Sequence, residues 1–199
     1  CSVLPGLLLI PLLYQGGRRL GDDAAGLYAA AAASLAPFLV AEAQETRMYT
    51  WAFLWLTLAG FSLWRWLHEG AGLPAAGLGR IVRGPSLAFA LWSALALLTH
   101  YATLFALLPM HLLLAIWVGG GPAPARRGRL AQWLGSGLLT VLLCAPQLPR
   151  AWRQIAPYSN PTLTIPSPAD YLRRCWQAFT LGEHFAGDAA RPWFSAAAL

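Results

Sequence analysis

The chain has 199 residues, of which 57% are hydrophobic and only 11% are charged. A soluble domain usually carries about 25% charged residues, so this composition argues against a soluble domain and predicts an α-helical membrane protein. The formal net charge of +6 comes entirely from arginine, because the sequence contains no lysine. The arginines lie in short stretches between apolar runs, which is typical of membrane topology, and we expect no nucleic-acid partner.

Several apolar runs approach the roughly 20 residues that a helix needs to cross about 30 Å of hydrocarbon. The predicted fold class is all-α: a polytopic transmembrane helix bundle of about six helices plus the start of another, with one long outer loop. We assign residues 1–148 to the helical bundle, 149–192 to an extracytoplasmic loop and 193–199 to the start of a further helix. The chain begins and ends within apolar sequence, so we expect it to be a fragment of a longer protein.

The apolar runs give the positions of the predicted helices. They cover Ser2–Tyr14, Ala24–Ala41, Tyr49–Leu67, Ser86–Leu98, Thr103–Val118 and Leu130–Leu148. Loops are predicted at Gln15–Asp23 and Gly119–Arg129, and Pro37 is expected to kink the second helix. Polar Thr99–Ala102 interrupts the apolar sequence so briefly that we expect a hairpin with its tip at a surface rather than one long helix.

Arginine content predicts the orientation of the bundle. The loops at residues 15–23, 65–85 and 119–129 hold two, three and three arginines, whereas those at 42–48 and 99–102 hold one and none. Because arginine is enriched in short cytoplasmic loops, the first three loops are expected to be cytoplasmic. The polar clusters at 42–48, at His100 and at 149–192 then share the outer face of the membrane.

The polar window at residues 37–50 is the main candidate for chemistry. Glu42 and Glu45 are three residues apart and Tyr49 lies four further on, so a helix would place all three on one face. Carboxylates so placed can ligate a divalent cation or act as a general base. Arg47 would point elsewhere on a regular helix, but its guanidinium is suited to bind a phosphate. The alternative is a solvated turn between two membrane helices.

Histidines give a second set of candidates. His100 and the adjacent Tyr101 interrupt apolar sequence, and ionisable residues at membrane depth are functional candidates. Alternatively, His100 caps the tip of a hairpin. His111 is predicted to form a hydrogen bond between helices, and His68 is predicted to be solvated.

The long outer segment carries two further groups of polar residues. Glu183 and His184 either bind a metal or substrate or belong to a surface loop, and the absence of further ligands at a recognisable spacing favours the loop. Four arginines on the same side either contact lipid phosphates or anchor helix ends among the headgroups. They are Arg150, Arg153, Arg173 and Arg174.

Four phrases occur in a characteristic order: Tyr14–Gly21, Ser34–Val40, Gln44–Tyr49 and Leu98–Tyr101. This order resembles the bacterial GT-C glycosyltransferases of the protein O-mannosyltransferase-like and aminoarabinose-transferase-like branch. In that branch the usual phrase is close to Ser-Gln-Glu-Ala-Arg-Met-Tyr, followed by a Thr-His-Tyr hairpin. The resemblance covers roughly residues 5–155 and is most specific in Gln44–Tyr49.

The resemblance implies a multi-pass enzyme of a bacterial inner or plasma membrane. Such an enzyme transfers a sugar from a polyprenyl-phosphate-linked donor to a lipid or protein acceptor on the outer face. Glu45 matches the acidic position of the second outer loop, and Glu42 is the second catalytic candidate. The expected substrate-binding residues are Arg47, Tyr49, His100 and Tyr101. A divalent metal is compatible with the two carboxylates, but the sequence does not require one.

One departure from the family pattern affects the expected activity. These enzymes carry a catalytic Asp, often as Asp-Glu, in the first outer loop, whereas Asp22 and Asp23 fall on the inner side. The first helix and first outer loop are therefore expected before Cys1, and the fragment is expected to be inactive alone.

Two other classes of function remain open. A transporter or flippase component for a lipid-linked substrate would show charges or Gly/Pro breaks near the bilayer midplane, often repeated in two halves. A structural membrane subunit would carry the outer polar clusters incidentally. An Asp-Glu loop upstream of Cys1 would distinguish the enzyme from both.

Overall fold

The computed structural model describes residues 2–45, 47–69, 84–155 and 167–181. All regular secondary structure within these ranges is helical, so the all-α prediction is confirmed. The α-helices are α1 (Val3–Leu20), α2 (Asp23–Leu35), α3 (Pro37–Gln44), α4 (Tyr49–Glu69), α5 (Pro85–Thr99), α6 (Leu104–Gly119), α7 (Ala123–Cys144), α8 (Leu148–Ile155) and α9 (Pro168–Leu181). Short 3-10 helices follow α5 and α7, at Tyr101–Thr103 and Ala145–Gln147. The further helix predicted at 193–199 lies outside the described residues.

The chain divides into two compact units. The first unit consists of Cys1–Thr50 and Tyr158–Leu199, and holds α1, α2, α3, the first residues of α4, and α9. The second unit is Trp51–Pro157 and holds the rest of α4 and α5 to α8.

In the first unit, α1 continues to Leu20, so the predicted loop at Gln15–Asp23 is wrong over most of its length. The connection to α2 is short because Asp22 begins the next helix: its Oδ1 accepts a hydrogen bond from the Ala25 N–H at 2.8 Å. Asp23 forms an ion pair with Arg18 across the turn. Asp22 and Asp23 thus stabilise the turn between α1 and α2.

Two glycines allow α1 and α2 to pack closely. A Cβ added at Gly17 would lie 2.6 Å from the carbonyl oxygen of Ala25, and one at Gly26 would lie 2.8 Å from that of Tyr14. Neither position has room for a side chain. Gly17, in the predicted loop, and Gly26, in the predicted second helix, therefore both serve contact between two helices.

The predicted kink at Pro37 is confirmed. Ala36 has an extended backbone, and Pro37 occupies the first position of α3, where its missing N–H costs no helical hydrogen bond. The axes of α2 and α3 differ by 53°.

In the second unit, α5 and α6 form the predicted hairpin. The rings of Phe89 and His111 are 5.3 Å apart, although each lies eleven residues from His100. A continuous helix would separate them by about 33 Å at 1.5 Å per residue. The chain therefore reverses at His100.

The predicted loop at Gly119–Arg129 is also largely helical, because α7 begins at Ala123. Its arginines satisfy the free carbonyl groups at the end of α6. Arg126 donates from Nη2 to the Gly119 oxygen at 2.9 Å, and Arg129 donates from Nη1 to the Trp117 oxygen at 3.0 Å. The guanidinium of Arg129 also lies 4.2 Å from the centre of the Trp117 ring.

The segment at 149–192, predicted as a loop, contains most of α8 and all of α9. Both helices mix arginine with exposed aromatic residues, so neither has the long apolar run from which the other helices were predicted. The location of the segment at 149–192 outside the membrane stays a prediction. Residues 156–166 and 182–192 lie outside the described part of the chain.

The core of the second unit contains large apolar side chains, among them Phe89 and Leu114 at 0% exposure, together with small ones. Ser93 and Ser136, at 0% exposure, lie on α5 and α7, and Thr140 donates from Oγ1 to the Ala90 oxygen at 3.3 Å. Other large apolar side chains are exposed on the outside. On α6 and α7 they are Leu104, Phe105, Leu108, Leu112, Leu113, Ile116, Leu130, Leu134, Leu138, Val141, Leu142 and Leu143. Apolar surface of this extent marks contact with a membrane or another protein.

One stretch among the described residues, Tyr101–Gly119, is long and apolar enough to cross a membrane, and only 22% of it is buried. The bent pair α2 and α3 gives a second candidate if the two helices together form one span. Helix α5 is apolar but shorter.

Candidate functional site

The polar window forms a turn between two helices in the first unit. Helix α3 ends at Gln44, Glu45 has an extended backbone with φ −76° and ψ 147°, and α4 begins at Tyr49. The prediction that Glu42, Glu45 and Tyr49 share one helix face is therefore wrong. The four candidates Glu42, Glu45, Arg47 and Tyr49 are nevertheless held in one short segment.

Glu45 and Arg47 form an ion pair within this turn. Arg47 Nε lies 2.8 Å from Glu45 Oε2. On a regular helix the two side chains would have pointed apart, and the extended backbone of Glu45 removes that separation. The side chains are 62% exposed for Arg47 and 35% exposed for Glu45, so an incoming ligand can reach both.

Two buried hydroxyl groups fix the ends of the turn. Ser2 Oγ donates to the carbonyl oxygen of Arg47 at 2.8 Å, and Thr50 Oγ1 donates to the carbonyl oxygen of Glu42 at 3.0 Å. Ser2 is 5% exposed and Thr50 is fully buried. Sequence analysis missed both residues. Their only sequence signal is a small hydroxyl side chain at the end of an apolar helix.

The two carboxylates of the window differ in environment. Glu42 lies on α3 and is 6% exposed, whereas the Glu45 side chain is partly exposed beside Arg47. A hydroxyl group arriving from outside the protein can therefore reach Glu45 more easily than Glu42. This difference favours Glu45 as the acid–base candidate.

An apolar cavity of about 240 Å³ adjoins the turn, because Gln44 and Thr50 on either side of the turn line it. Its walls come from α1, α2, α3 and Thr50. They are Val3, Gly6, Leu7, Leu9, Ile10, Ala33, Ser34, Leu39, Val40, Ala43, Gln44 and Thr50. Pockets for whole ligands usually span roughly 300–1,000 Å³, so this cavity suits one apolar segment of a larger molecule.

Close approach of α1 to α3 shapes one wall of the cavity. A Cβ at Gly6 would lie 2.9 Å from the Ala43 Cβ and 3.5 Å from the Thr50 Cγ2. Gly6 thus allows the start of α1 to reach the turn, where Ser2 forms its hydrogen bond.

No group of three His, Cys, Asp or Glu side chains within the described ranges is arranged to hold a metal ion. In this part of the chain the polar window offers only Glu42 and Glu45 as carboxylates.

The hairpin tip in the second unit holds the other two candidates. The Ala102 N–H donates to His100 Nδ1 at 3.1 Å, and Thr103 Oγ1 donates to the His100 carbonyl oxygen at 2.7 Å. The His100 and Tyr101 rings are stacked with centroids 5.3 Å apart. His100 therefore caps the hairpin tip, as the structural alternative predicted, and its neutral form carries the proton on Nε2.

The other histidines behave as the sequence predicted where the structure describes them. Trp133 Nε1 on α7 donates to His111 Nδ1 on α6 at 3.1 Å, so His111 is a hydrogen-bonding partner between helices. His68 is exposed. Glu183 and His184 lie outside the described residues.

In the first unit the structure thus pairs Glu45 with Arg47, with Glu42 and Tyr49 on the helices that flank their turn, and in the second unit it stacks His100 on Tyr101. Comparison of the chain with protein-family models, with curated proteins and with solved structures gives no match.

Proposed function

We propose that the chain belongs to a multi-pass membrane glycosyltransferase that moves a sugar from a polyprenyl-phosphate-linked donor to an acceptor on the extracytoplasmic face. The observation that carries this proposal is the exposed ion pair of Glu45 and Arg47 in a turn whose flanking residues, Gln44 and Thr50, line an apolar cavity. Such a site suits an amphipathic ligand with an anionic head and a hydrocarbon tail. The four sequence phrases that resemble the GT-C branch support the same reaction class.

The phosphate of the donor is assigned to Arg47. A guanidinium offers several N–H donors in a planar fork, which matches the oxygens of a phosphate. The isoprenoid chain next to that phosphate enters the cavity that adjoins the turn. When the donor phosphate binds the Arg47 guanidinium, the Glu45 carboxylate is released from its ion pair and becomes available as a base.

In the proposed reaction the acceptor hydroxyl attacks the anomeric carbon of the sugar. The bond from that carbon to the phosphate oxygen breaks, and polyprenyl phosphate leaves with the electron pair. Glu45 accepts the proton of the hydroxyl, and Arg47 stabilises the charge that grows on the phosphate. Glu42, Tyr49, His100 and Tyr101 remain candidates for binding the sugar or the acceptor.

The membrane location of the proposal rests on composition, on the span at Tyr101–Gly119 and on the apolar surfaces of α6 and α7. Water would penalise large apolar side chains over so much surface, whereas acyl chains would not. Small residues at the contact between α5 and α7 suit helices that associate in lipid.

The test is a Glu45→Gln substitution in the full-length protein, with transfer of radiolabelled sugar measured in membranes. We expect the transfer rate to fall by roughly 10²–10⁴-fold, the usual contribution of a general base. The matched control is Asp23→Asn, because Asp23 is likewise an exposed carboxylate paired with an arginine. Equal transfer by the Glu45→Gln variant and the wild type would refute the role of Glu45 and favour a transporter or flippase component.

A further inference from the structure

Helix α9 has two chemically distinct faces. Tyr171, Leu172, Cys175 and Trp176 lie within one half of the helix, because they follow the three- and four-residue spacing of a single face. The opposite half carries charged and amide side chains. They are Asp170, Arg173, Arg174 and Gln177. A helix with this division buries its apolar half against an apolar partner.

The apolar half of α9 is largely uncovered within the first unit. Tyr171 is 59% exposed, Leu172 68% and Trp176 51%. The Tyr171 side chain is hydrogen-bonded to that of Cys175, which raises the pKa of Tyr171 above its usual value.

The arginines lie at the two boundaries of the apolar face. Arg174 is three residues beyond Tyr171 on one edge, and Arg173 is three residues before Trp176 on the other. The Arg173 side chain is 66% exposed and also pairs with Asp170 at 3.1 Å. Arginine at both edges of an aromatic face is the arrangement of helices that lie in a membrane surface.

The start of α9 is fixed independently of any partner. Ser167 Oγ accepts a hydrogen bond from the Asp170 N–H at 3.2 Å and donates to Asp170 Oδ2 at 2.8 Å. Ser167 is thus a side-chain N-cap whose hydroxyl is held by Asp170, and Pro168 fits the first turn of the helix. Helix α9 also packs against α3, the second half of the bent candidate span.

We propose that α9 is an interfacial helix that lies along the surface of an anionic lipid bilayer. Tyr171, Leu172 and Trp176 occupy the boundary between headgroups and acyl chains, and Arg173 and Arg174 contact lipid phosphates. The lipid surface is the occupant because arginine complements anionic headgroups and because α9 packs against a candidate span. The proposal requires a membrane-embedded chain but does not depend on sugar transfer.

The test places an environment-sensitive fluorophore on either face of α9 in the full chain. Leu172→Cys labels the apolar face and Gln177→Cys labels the polar face, in a background with Cys1→Ser, Cys144→Ala and Cys175→Ser. The proteins are reconstituted into phosphatidylcholine vesicles with and without phosphatidylglycerol. Quenching is measured with nitroxide-labelled lipid and with aqueous iodide.

We expect the probe at 172 to be quenched several-fold more strongly by nitroxide lipid than by iodide, and the probe at 177 to show the reverse. Arg173→Gln with Arg174→Gln should reduce lipid quenching at 172 only in vesicles that contain phosphatidylglycerol. Strong iodide quenching at 172 would overturn the proposal, as would protection of 172 from both quenchers, which would indicate a second copy or another protein on this face. An unchanged signal in the double arginine variant would overturn the role of anionic lipid.

Hydrogen exchange of the unlabelled wild-type chain provides a measurement that needs no substitution. The α9 amides should exchange more slowly in anionic vesicles than in neutral ones, whereas equal rates would contradict the proposal. Sugar transfer is not read in either assay, so failure of the proposed reaction and failure of the interfacial helix give separate results.

Discussion

Ser2 Oγ donates a hydrogen bond to the carbonyl oxygen of Arg47 at 2.8 Å, across 45 residues of sequence. This contact joins the start of α1 to the turn that holds the ion pair of Glu45 and Arg47. The guanidinium is exposed, but the backbone that carries it is fixed by a buried group. The position of Arg47, to which we assign the donor phosphate, therefore depends on a residue outside the polar window.

The first prediction concerns this hydrogen bond. Ser2→Ala should reduce sugar transfer by about 2- to 10-fold, because a lost hydrogen bond of roughly 0.5–1.5 kcal/mol loosens the backbone at Arg47. The measurement is the transfer rate in membranes at equal protein amount. Ser62→Ala is the control, since Ser62 is about as buried as Ser2, its Oγ donates to the Leu58 oxygen of its own helix, and it does not line the cavity. If both variants changed the transfer rate equally, Ser2 would have no specific role at the site.

The second prediction concerns Arg47 itself. Arg47→Lys should raise the KM for the polyprenyl-phosphate-linked donor by about 10-fold or more, because an ammonium keeps the charge but loses the planar fork of donors. Donor titration in detergent-solubilised full-length protein gives the KM. Arg18→Lys makes the same change in the exposed ion pair with Asp23 and should leave the KM unchanged. An unaltered KM in the Arg47→Lys variant would refute the assignment of the donor phosphate to Arg47.

Apolar runs predicted most helices of the fold, since hydrophobic length is a property of the local sequence. They failed at Gln15–Asp23 and Gly119–Arg129, where glycine and arginine suggested loops. In the structure Gly17 accommodates the backbone of α2, and Arg129 caps the carbonyl end of α6. Both roles depend on a neighbouring helix, so no local pattern reveals them.

The candidate site was likewise predictable from the sequence only in part. Sequence reasoning selected Glu45 and Arg47 from their chemistry, but a helical spacing placed them apart. Their ion pair arises because α3 ends at Gln44 and the turn is fixed by Ser2 and Thr50. The hydrogen bond from Ser2, 45 residues away from Arg47, is a tertiary contact that spacing alone does not predict.

The third prediction tests the close contact between α1 and α2. Gly17→Ala should lower the free energy of unfolding by about 1–3 kcal/mol, because the new Cβ would lie 2.6 Å from the Ala25 oxygen. Gly137→Ala is the control: that helical position has nothing within 4 Å of an added Cβ, and alanine should stabilise it by up to about 1 kcal/mol. Thermal unfolding in detergent compares the two. A Gly17→Ala variant as stable as Gly137→Ala would contradict the packing.

The last prediction distinguishes a helix in lipid from a helix in water, and it uses two exposed leucines of α6. Leu104 is 48% exposed near the start of the helix, and Leu112 is 62% exposed near its middle. Eight residues separate them by about 12 Å along the helix axis. In water, Asp at either exposed position would change stability by about 0.5 kcal/mol or less.

In a bilayer the two positions differ in depth. Leu112→Asp should cost about 3 kcal/mol of insertion free energy, because it replaces leucine by an acid near the hydrocarbon centre, whereas Leu104→Asp lies nearer the headgroups and should cost much less. Insertion into microsomes, read from glycosylation sites engineered on either side of α6, measures the difference. Because a soluble helix bundle would tolerate both substitutions equally, unequal insertion would support Tyr101–Gly119 as a membrane span. If both variants behaved like the wild type, the apolar surface of α6 would instead be expected to contact a protein partner.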